Sequence, residues 1–426
     1  MKQNLSIQLF SITFTLFAII SYFYGFYIDE VPMGAGGYTG DFVYVLKSID
    51  LFSNNSILDS ILLFSETSNR PPLIYILHKL FNPFFTDELN FRRSVFIISL
   101  SIPVLFFLCL KEKFKKTDKI LLILLSSVIL FNPFVRNSAY WGLEENYAII
   151  TSLLSFLFYL KVTNLEKINS KIQIDKIFAL TFSSALCVYF DQKFIIIPLI
   201  CFFKIFFGNF SRNTKILTIT FYFIFSIPYL FLIKIWGGIF PTDFYLIGSQ
   251  FYLHHLGFAL TIIAFIFFPF LIFKIKKLKY EIEEFLISKN FFLILIPILA
   301  YVTYLILFYD SNFLNNKLDG GGIIKKISFI FFNDSILRKI FVYTFFILSW
   351  IFIIFFIKNI YEKFVVIFFL LIALITSPFY QEYFDPIIFI MLFFFFKINF
   401  QLSYIKVYLF YFYYLIFLTG TIFYYN

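Results

Sequence analysis

Charged residues are scarce in this chain of 426 residues: they make up 14% of it, whereas hydrophobic residues make up 61%. A soluble protein of this composition would have to leave a large apolar surface in contact with water. The same apolar pattern recurs from end to end, so nothing in it indicates several soluble domains. The composition therefore excludes an ordinary soluble enzyme and predicts a single integral membrane domain over residues 1–426.

Cysteine and histidine are also rare, with three residues of each. Cys109, Cys187 and Cys201 lie inside apolar runs without metal-ligand spacing, so we interpret them as packing residues. His254 and His255 are adjacent and would point in different directions on a helix, which makes them a poor chelating pair. We therefore predict no metal site and no cofactor, because a divalent metal has no support from the residues present.

Several functional motifs are missing. The sequence has no Walker loop, no dinucleotide-binding fingerprint and no nucleophile elbow. Its formal net charge is +10, but the basic residues sit in short clusters between apolar runs. That arrangement orients helices in a membrane, so we predict a membrane-lipid environment and no nucleic-acid partner.

Apolar stretches long enough to cross a bilayer predict an all-α, polytopic membrane protein with about 13 transmembrane helices. When the loops are assigned alternately to the two sides, most basic residues fall on the side of the N-terminus. The positive-inside rule then predicts a cytoplasmic N-terminus. The predicted spans lie near residues 8–28, 92–110, 119–135, 147–161, 177–191, 194–208, 215–236, 256–273, 291–309, 340–357, 364–379, 386–400 and 407–424.

Long connections fall on the non-cytoplasmic side, at about residues 29–91, 236–255 and 310–339. The first outer loop contains amphipathic patterns at about 41–52 and 72–82, which predict helices lying in the membrane interface. Long loops above a helical scaffold are where a membrane enzyme would keep its active site. Reactive residues are therefore expected in these loops.

Two adjacent carboxylates, Asp29 and Glu30, follow the first apolar run, and a glycine-rich turn leads from them to Asp41. A carboxylate partly shielded from water is a stronger base than one in bulk solvent, so this segment is a candidate for general base catalysis. The alternative is that Asp29 and Glu30 only end the helix in water.

Arg70 precedes two prolines that can start a helix but cannot continue one. It would then lie just before a helix N-terminus, where anions bind. The alternative is an ordinary junction between a loop and a helix.

A short outer turn contains Arg136, Tyr140, Trp141, Glu144 and Glu145. The two aromatic residues suit the interfacial belt of a membrane protein. We expect Arg136 to form a structural salt bridge with the two glutamates. The alternative is that these charged residues have a functional role.

Further polar residues interrupt apolar runs later in the chain. Trp236 lies at the start of another outer loop, and Gln381, Glu382 and Tyr383 lie between two strongly apolar predicted helices. Such residues are costly near lipid unless they face a cavity or a partner. Asp191 and Lys193, which lie between two predicted spans, are expected to pair with each other.

With these residues the chain resembles the GT-C superfamily of membrane glycosyltransferases, which transfer a sugar from a polyprenyl-phosphate donor. Asp29-Glu30 is similar to the acidic motif after that superfamily's first helix. Arg70-Pro-Pro-Leu-Ile-Tyr75 resembles the Pro-Pro-Leu-Tyr stretch of the aminoarabinose and protein mannosyl transferase branches. Residues 27–31 are similar to the start of the endoplasmic-reticulum α-1,2-glucosyltransferases. However, Glu382 stands where that branch has an arginine, and its Asp-Asn-Arg-His-Tyr motif is not evident.

The resemblance implies that a carboxylate takes the proton from an acceptor hydroxyl, with Asp29 as first choice and Glu30 or Asp41 as alternatives. It also implies a cation beside the leaving phosphate, for which Arg70, Arg136 and Lys193 are candidates. The acceptor would be a glycan, a lipid or a protein. The expected substrate-binding residues, with the aromatic ones stacking on sugar rings, are Tyr140, Trp141, Glu144, Glu145, Trp236, Gln381, Glu382 and Tyr383.

Two other functions stay open. An oligosaccharide-lipid polymerase or ligase typically depends on paired outer-loop arginines, which are sparse here. A non-enzymatic transporter or lipid flippase would show internal repeats with broken helices, and we find no convincing repeat. The composition favours a bacterial inner membrane over an endoplasmic reticulum.

Overall fold

A computed structural model describes residues 2–34, 36–68, 70–167, 174–238, 252–287, 290–308, 320–357, 359–374, 380–396 and 402–425. Throughout these ranges the regular secondary structure is helical, without any strand. The chain forms two compact units: Met1–Phe244 with Gln401–Asn426, and Tyr245–Phe400. All-α architecture is therefore confirmed for the described residues.

The first unit contains helices α1 to α12 and the last helix of the chain, α19. Short 3₁₀ turns at Phe64–Glu66, Val128–Phe131 and Gln192–Ile195 extend or link them. The helices are α1 (Lys2–Tyr27), α2 (Phe42–Asn54), α3 (Ile57–Leu63), α4 (Leu73–Phe81), α5 (Glu88–Ser99), α6 (Ser101–Lys113), α7 (Lys119–Ser127), α8 (Pro133–Tyr140), α9 (Glu145–Lys167), α10 (Ile174–Phe190), α11 (Ile196–Phe207), α12 (Arg212–Trp236) and α19 (Tyr404–Tyr425).

The second unit is built around α13, which is largely buried between Leu253 and Ile272. Phe267 of α13 packs against Phe352 and Phe396, with ring centroids 5.7 and 6.0 Å away. The helices of this unit are α13 (Leu253–Ile287), α14 (Asn290–Phe308), α15 (Gly322–Phe331), α16 (Ser335–Phe355), α17 (Ile360–Ala373) and α18 (Asp385–Phe394), and a 3₁₀ turn covers Gln381–Tyr383.

Seven helical segments in the described part of the chain are long and apolar enough to cross a membrane. The bent pair Lys119–Phe131 and Pro133–Tyr140 would make an eighth if it is one span. Large apolar side chains such as Leu9 of α1 and Phe223 of α12 are more than half exposed, as expected for helices that face lipid. The chain is therefore a helical membrane protein. The seven segments are Leu5–Tyr27, Glu88–Lys113, Glu145–Asn164, Arg212–Trp236, Leu253–Ile272, Ser335–Phe355 and Tyr404–Tyr425.

Several of the other predicted spans correspond to shorter helices. The predicted spans at 177–191 and 194–208 lie on α10 and α11, which have 17 and 12 residues. Those at 364–379 and 386–400 lie on α17 and α18, which have 14 and 10 residues. A helix needs about 20 residues to cross the hydrocarbon core. The full set of 13 spans and the cytoplasmic N-terminus stay predictions.

The first outer loop, residues 29–91, folds into short helices. The helices α2 and α4 cover the two amphipathic segments, so these predicted helices are confirmed. Phe52 of α2 and Tyr75 of α4 stack in the buried interior with ring centroids 5.8 Å apart. Their location in the membrane interface stays a prediction. Residues 239–251 and 309–319, which form much of the other two predicted outer loops, lie outside the described residues.

A sharp bend positions α8 and its arginine. The segment from Lys119 to Phe131 and the helix α8 meet at an angle of 67°. Asn132 begins α8, because its side chain accepts hydrogen bonds from the backbone N–H groups of Phe134 and Val135, and Pro133 occupies the first turn. This local sequence fixes where α8 starts and turns Arg136 into the interior of the unit, where it is 1% exposed.

Candidate functional site

Asp29 lies two residues after the end of α1, in the turn that follows this helix. Its φ of 52° makes it the one non-glycine residue with positive φ among those described, and this conformation is uncommon for a residue with a side chain. This turn terminates α1, because the backbone N–H of Glu30 donates a hydrogen bond to the carbonyl of Gly25 at 2.9 Å. The Asp29 side chain is 50% exposed. Its carboxylate is therefore open to solvent although its backbone is fixed.

The buried side chain of Arg92 on α5 forms an ion pair with this carboxylate. Its Nη2 donates to Asp29 Oδ1 at 2.5 Å, its Nε to the carbonyl of Tyr140 at 2.8 Å, and its Nη1 to the Tyr38 hydroxyl at 2.9 Å. The guanidinium carbon also lies 4.2 Å from the ring centroid of Trp141. Arg92 is only 1% exposed, whereas both Asp29 and Tyr38, which it contacts, reach the surface.

Glu30 pairs with Arg136, so two of the predicted residues come together. Arg136 Nη1 donates to both carboxylate oxygens of Glu30, at 3.0 and 2.9 Å. Burial raises the pKa of Glu30, and the positive charge of Arg136 partly offsets that rise. Arg136 also donates to the Ser21 hydroxyl at 2.6 Å and to the carbonyl of Leu130 at 2.7 Å. This pair is enclosed, unlike the pair of Asp29 and Arg92.

Arg70 joins the two glutamates at the start of α9. Its Nη1 lies 3.0 Å from Glu144 Oε1 and 2.5 Å from Glu145 Oε1. Although burial opposes its charge, the carboxylates of Glu145 and Glu144 hold the pKa of Arg70 well above its usual value. Burial raises the pKa of Glu144 to about 7, with Arg70 opposing the shift and Glu145 adding to it. The first outer loop is thus attached to α9 by an ionic contact.

Lys193 extends the same network. Its Nζ lies 3.2 Å from Glu145 Oε1 and 3.0 Å from Asp191 Oδ2, so the predicted pairing of Asp191 and Lys193 is confirmed. The Asp191 side chain also accepts a hydrogen bond from the backbone N–H of Lys193 at 3.0 Å. We refer to Arg70, Glu144, Glu145, Asp191 and Lys193 as the ionic network.

Asp41 lies beside this network. It precedes α2 without capping the helix through its side chain, and it is close enough to Arg70 for the two charges to interact. The third predicted acid, Asp41, is thus near Arg70. Asp29 and Glu30 pair with Arg92 and Arg136 instead.

The prediction of a salt bridge between Arg136 and the glutamates of the outer turn was wrong. Arg136 pairs with Glu30, and Glu144 and Glu145 pair with Arg70. The physical reason is that α8 carries Arg136 towards the end of α1, whereas Arg70 arrives from the first outer loop. Arg136 and Glu30 are 106 residues apart, a separation that the local pattern does not reveal.

The candidate aromatic residues are buried. Tyr140, Trp141 and Trp236 are 0%, 1% and 3% exposed. The Tyr140 hydroxyl donates to the carbonyl of Tyr22 at 2.7 Å, and Trp141 Nε1 donates to the carbonyl of Glu30 at 3.2 Å. This burial favours packing roles and argues against the stacking on sugar rings predicted for them.

Gln381, Glu382 and Tyr383 belong to the second unit. Gln381 accepts from the backbone N–H of Ile323 at 2.6 Å and donates to Asp385 at 2.8 Å, so it is satisfied inside that unit. The charge of Glu382 acts on Lys326, whose pKa burial lowers to about 8. The ring of Tyr383 lies against that of Tyr380, with centroids 5.7 Å apart. These contacts account for polar residues in an apolar stretch.

Arg92 is the residue that the sequence reasoning missed. It stands next to Arg93 at the outer end of the predicted span 92–110, and the rest of that span contains no other charged residue. A charged residue at the end of a transmembrane helix needs a partner or a cavity. That rule could have marked Arg92 as a partner for the acids after α1.

Comparison with known proteins gives no relative for this chain: no protein-family model matches it, and neither does a curated protein or a solved structure. The geometry of the site is therefore the basis for a functional proposal.

Proposed function

We propose that this chain is a membrane glycosyltransferase that moves a sugar from a polyprenyl-phosphate donor to an acceptor hydroxyl on the non-cytoplasmic side of a bacterial inner membrane. The observation that carries the proposal is the contrast in exposure between Asp29 and the other paired acids. The Asp29 side chain is 50% exposed, whereas those of Glu30, Glu144, Glu145 and Asp191 are 8%, 6%, 8% and 4% exposed. Asp29 is the member of this group that can meet an incoming hydroxyl.

The reaction needs a base at this position. As the acceptor oxygen bonds to the anomeric carbon, the bond between that carbon and the phosphate oxygen breaks. The electron pair leaves with polyprenyl phosphate, and the hydroxyl proton goes to Asp29. Arg92 supports this role by fixing the orientation of the carboxylate, since positioned groups transfer protons more efficiently than freely rotating ones.

The leaving phosphate needs a cation close to it. Of the three cations proposed for this task, Arg70 and Lys193 are 18% and 13% exposed and Arg136 is 1% exposed. Arg136 is enclosed with Glu30, so Arg70 is the first candidate and Lys193 the second. Each would bind phosphate in competition with its carboxylate partners.

A transfer assay tests the proposal. The full-length protein in liposomes is offered polyprenyl-phosphate sugars together with a glycan, lipid or protein acceptor fraction, and new glycosidic bonds are identified by mass spectrometry. We expect a glycosylated product and free polyprenyl phosphate. Movement of an intact sugar lipid across the bilayer without a new glycosidic bond would contradict transfer and favour a flippase. Joining of whole oligosaccharides would favour a polymerase or ligase.

A further inference from the structure

An exposed aromatic side chain borders the carboxylate of Asp29. Phe42 and Trp141 are buried beside Arg92, whereas Tyr38 is 48% exposed. Arg92 therefore contacts two groups that reach the surface, the Asp29 carboxylate and the Tyr38 side chain. Among the described residues, four rings surround the Arg92 guanidinium, with centroids 4.2 to 5.5 Å from its carbon: those of Phe26, Tyr38, Phe42 and Trp141.

One guanidinium joins Asp29 to Tyr38. Arg92 Nη2 donates to Asp29 Oδ1 at 2.5 Å, and Nη1 donates to the Tyr38 hydroxyl at 2.9 Å. The two terminal nitrogens of an arginine belong to one rigid, planar fork. The carboxylate and the hydroxyl end of the tyrosine are therefore held next to each other, and both residues belong to one surface.

The Tyr38 side chain is fixed by its neighbours. Its hydroxyl accepts from Arg92 and also hydrogen-bonds the Glu88 side chain. The rings of Trp141 and Phe42 pack edge-to-face against its own ring, with centroids 5.1 and 5.5 Å away. A side chain that is ordered before binding loses little conformational freedom when a ligand arrives. Because protein groups already bond its hydroxyl, Tyr38 offers its ring to a ligand.

Exposed tyrosines of membrane proteins also occur in the interfacial belt, against lipid. The surroundings of Tyr38 make that contact unfavourable, because Glu88 and Arg92 bond its hydroxyl and the half-exposed Asp29 lies beside it. Charged groups are costly near hydrocarbon. A ring next to a carboxylate instead suits a ligand that has both an apolar face and hydroxyl groups.

A sugar ring has this combination. Its faces carry C–H groups, which pack on the apolar surface of an aromatic ring, and its hydroxyls lie around the rim. A sugar stacked on Tyr38 would turn a rim hydroxyl towards Asp29, the group proposed to take the proton of the acceptor. A serine or threonine side chain or a glycerol lipid also provides a hydroxyl, but it has no rigid face to stack on the ring.

We propose that Tyr38 stacks against a sugar ring of the acceptor and orients one hydroxyl of that sugar towards Asp29. The acceptor is accordingly a glycan. This inference rests on the proposed function, in which Asp29 is the base and Tyr38 is a positioning residue. The stacking role falls to an exposed ring instead of the buried rings of Tyr140 and Trp141.

Acceptors that differ in chemistry test the substrate class. The full-length protein in liposomes is given polyprenyl-phosphate sugars and one of three kinds of acceptor: the disaccharides maltose, lactose and diacetylchitobiose, a peptide containing serine and threonine, or phosphatidylglycerol. New glycosidic bonds are identified by mass spectrometry. We expect faster transfer to at least one disaccharide than to the peptide or the lipid. Preferential transfer to the peptide or the lipid would overturn the glycan acceptor and leave the proposed function standing.

Substitutions of Tyr38 test its role. Tyr38→Leu removes the ring and should raise the KM for the disaccharide about three- to tenfold, with the KM for the donor unchanged and kcat changed less than about twofold, because stacking holds the acceptor equally before and during the reaction. Tyr38→Phe keeps the ring and should restore the acceptor KM to within about twofold of the wild type. Equal defects in the two variants would show that the hydroxyl bonds matter and not the ring, which would overturn stacking.

Tyr44→Leu is the matched control. Tyr44 lies on α2 in the same outer loop and is 50% exposed, but the cation at its ring is Lys47, with Nζ 5.6 Å from the centroid. This substitution should leave the acceptor KM unchanged. If Tyr38→Leu does not fold, Tyr38→Met replaces it, since methionine adapts to the space of a larger side chain without providing a ring.

Binding separates this inference from the proposed function. The wild type and the variants are unfolded thermally in detergent with the same disaccharides, since a ligand of the folded state raises the unfolding temperature in a saturable way. A shift that is lost in Tyr38→Leu and kept in Tyr44→Leu, without transfer from any donor, would support stacking on Tyr38 and contradict glycosyl transfer.

Other outcomes overturn the role of Tyr38. Transfer with the same acceptor KM in the wild type and Tyr38→Leu would do so while the proposed function stands. Equal increases of the acceptor KM in Tyr38→Leu and Tyr44→Leu would do so as well, because the effect would then not depend on the contact with Arg92. The absence of both binding and transfer for every disaccharide would contradict a glycan acceptor.

Discussion

Arg92 and Asp29 form an ion pair in which the cation is enclosed and the carboxylate is open: Nη2 lies 2.5 Å from Oδ1, and the side chains are 1% and 50% exposed. Arg92 stabilises the fold through its hydrogen bonds to Tyr140 and Tyr38 and its contact with the ring of Trp141. The Asp29 carboxylate remains partly exposed to solvent. This asymmetry separates Asp29 from Glu30, the acid next to it in sequence.

Replacing Arg92 by alanine should destabilise the protein by about 2–4 kcal/mol, because the carbonyl of Tyr140 loses its donor and a cavity opens beside Trp141. The measurement is the free energy of unfolding, or the unfolding temperature in detergent. Arg93→Ala is the control: Arg93 is exposed on the same helix, and among the described residues it bonds only the Asn90 side chain, so it should change stability by less than about 0.5 kcal/mol. Equal effects of the two substitutions would contradict the assigned contacts.

Gly25→Ala should disturb the pair of Glu30 and Arg136. A Cβ at position 25 would lie 2.6 Å from the Tyr140 hydroxyl and 2.7 Å from Glu30 Oε2, distances at which side chains must shift. We expect a loss of about 1–3 kcal/mol in unfolding free energy.

The matched substitution is Gly420→Ala on α19, where an added Cβ meets nothing within 4 Å. It should be neutral or stabilise the protein by about 0.5–1 kcal/mol, as alanine is the better helix former. Similar destabilisation at both positions would argue that α1 does not pack against Tyr140 as described.

Glu144 should make stability depend on pH. Its pKa is raised from 4.5 to about 7 in the folded protein, so between these values the folded state binds more protons than the unfolded state. Stability from this group is therefore present at low pH and lost as the pH rises through about 7. Glu144→Gln imitates the protonated form and should reduce the fall in unfolding temperature between pH 5 and pH 8. A fall of the same size in the variant would show that another group is responsible.

A double-mutant cycle tests the contact between the first outer loop and α9. Arg70→Ala leaves Glu144 and Glu145 without a cation that contacts both, and Glu145→Gln removes one of the charges. Because residues in one buried network do not act independently, the two changes together should cost less than their sum, by about 1–3 kcal/mol. Additive effects on the unfolding free energy would mean that the pair is not formed.

The sequence predicts those features that depend on short stretches. The amphipathic patterns correctly place α2 and α4, because the buried face of a surface helix recurs every three to four residues. The start of α4 after Arg70 follows from the two prolines, which cannot continue a preceding helix. The pairing of Asp191 and Lys193 is also local.

Contacts between distant segments could not be derived in this way. The partner of Arg136 is Glu30, and that of Asp29 is Arg92, 63 residues later. Which arginine reaches which acid depends on the 67° bend before α8 and on the route of the first outer loop. Hydropathy likewise does not give the length of a helix, since α18 is as continuously apolar as a longer span but has 10 residues.

The most direct test of the central claim replaces Asp29 by asparagine, which keeps the size of the side chain and removes the base. Asp50→Asn, at an exposed acid of α2 in the same outer loop, is the control. With both variants inserted and folded like the wild type, we expect Asp29→Asn to lower the rate of sugar transfer from a polyprenyl-phosphate donor by about 10²–10⁴-fold and Asp50→Asn to leave it unchanged. Near-normal turnover of Asp29→Asn would contradict the assignment of Asp29 as the base.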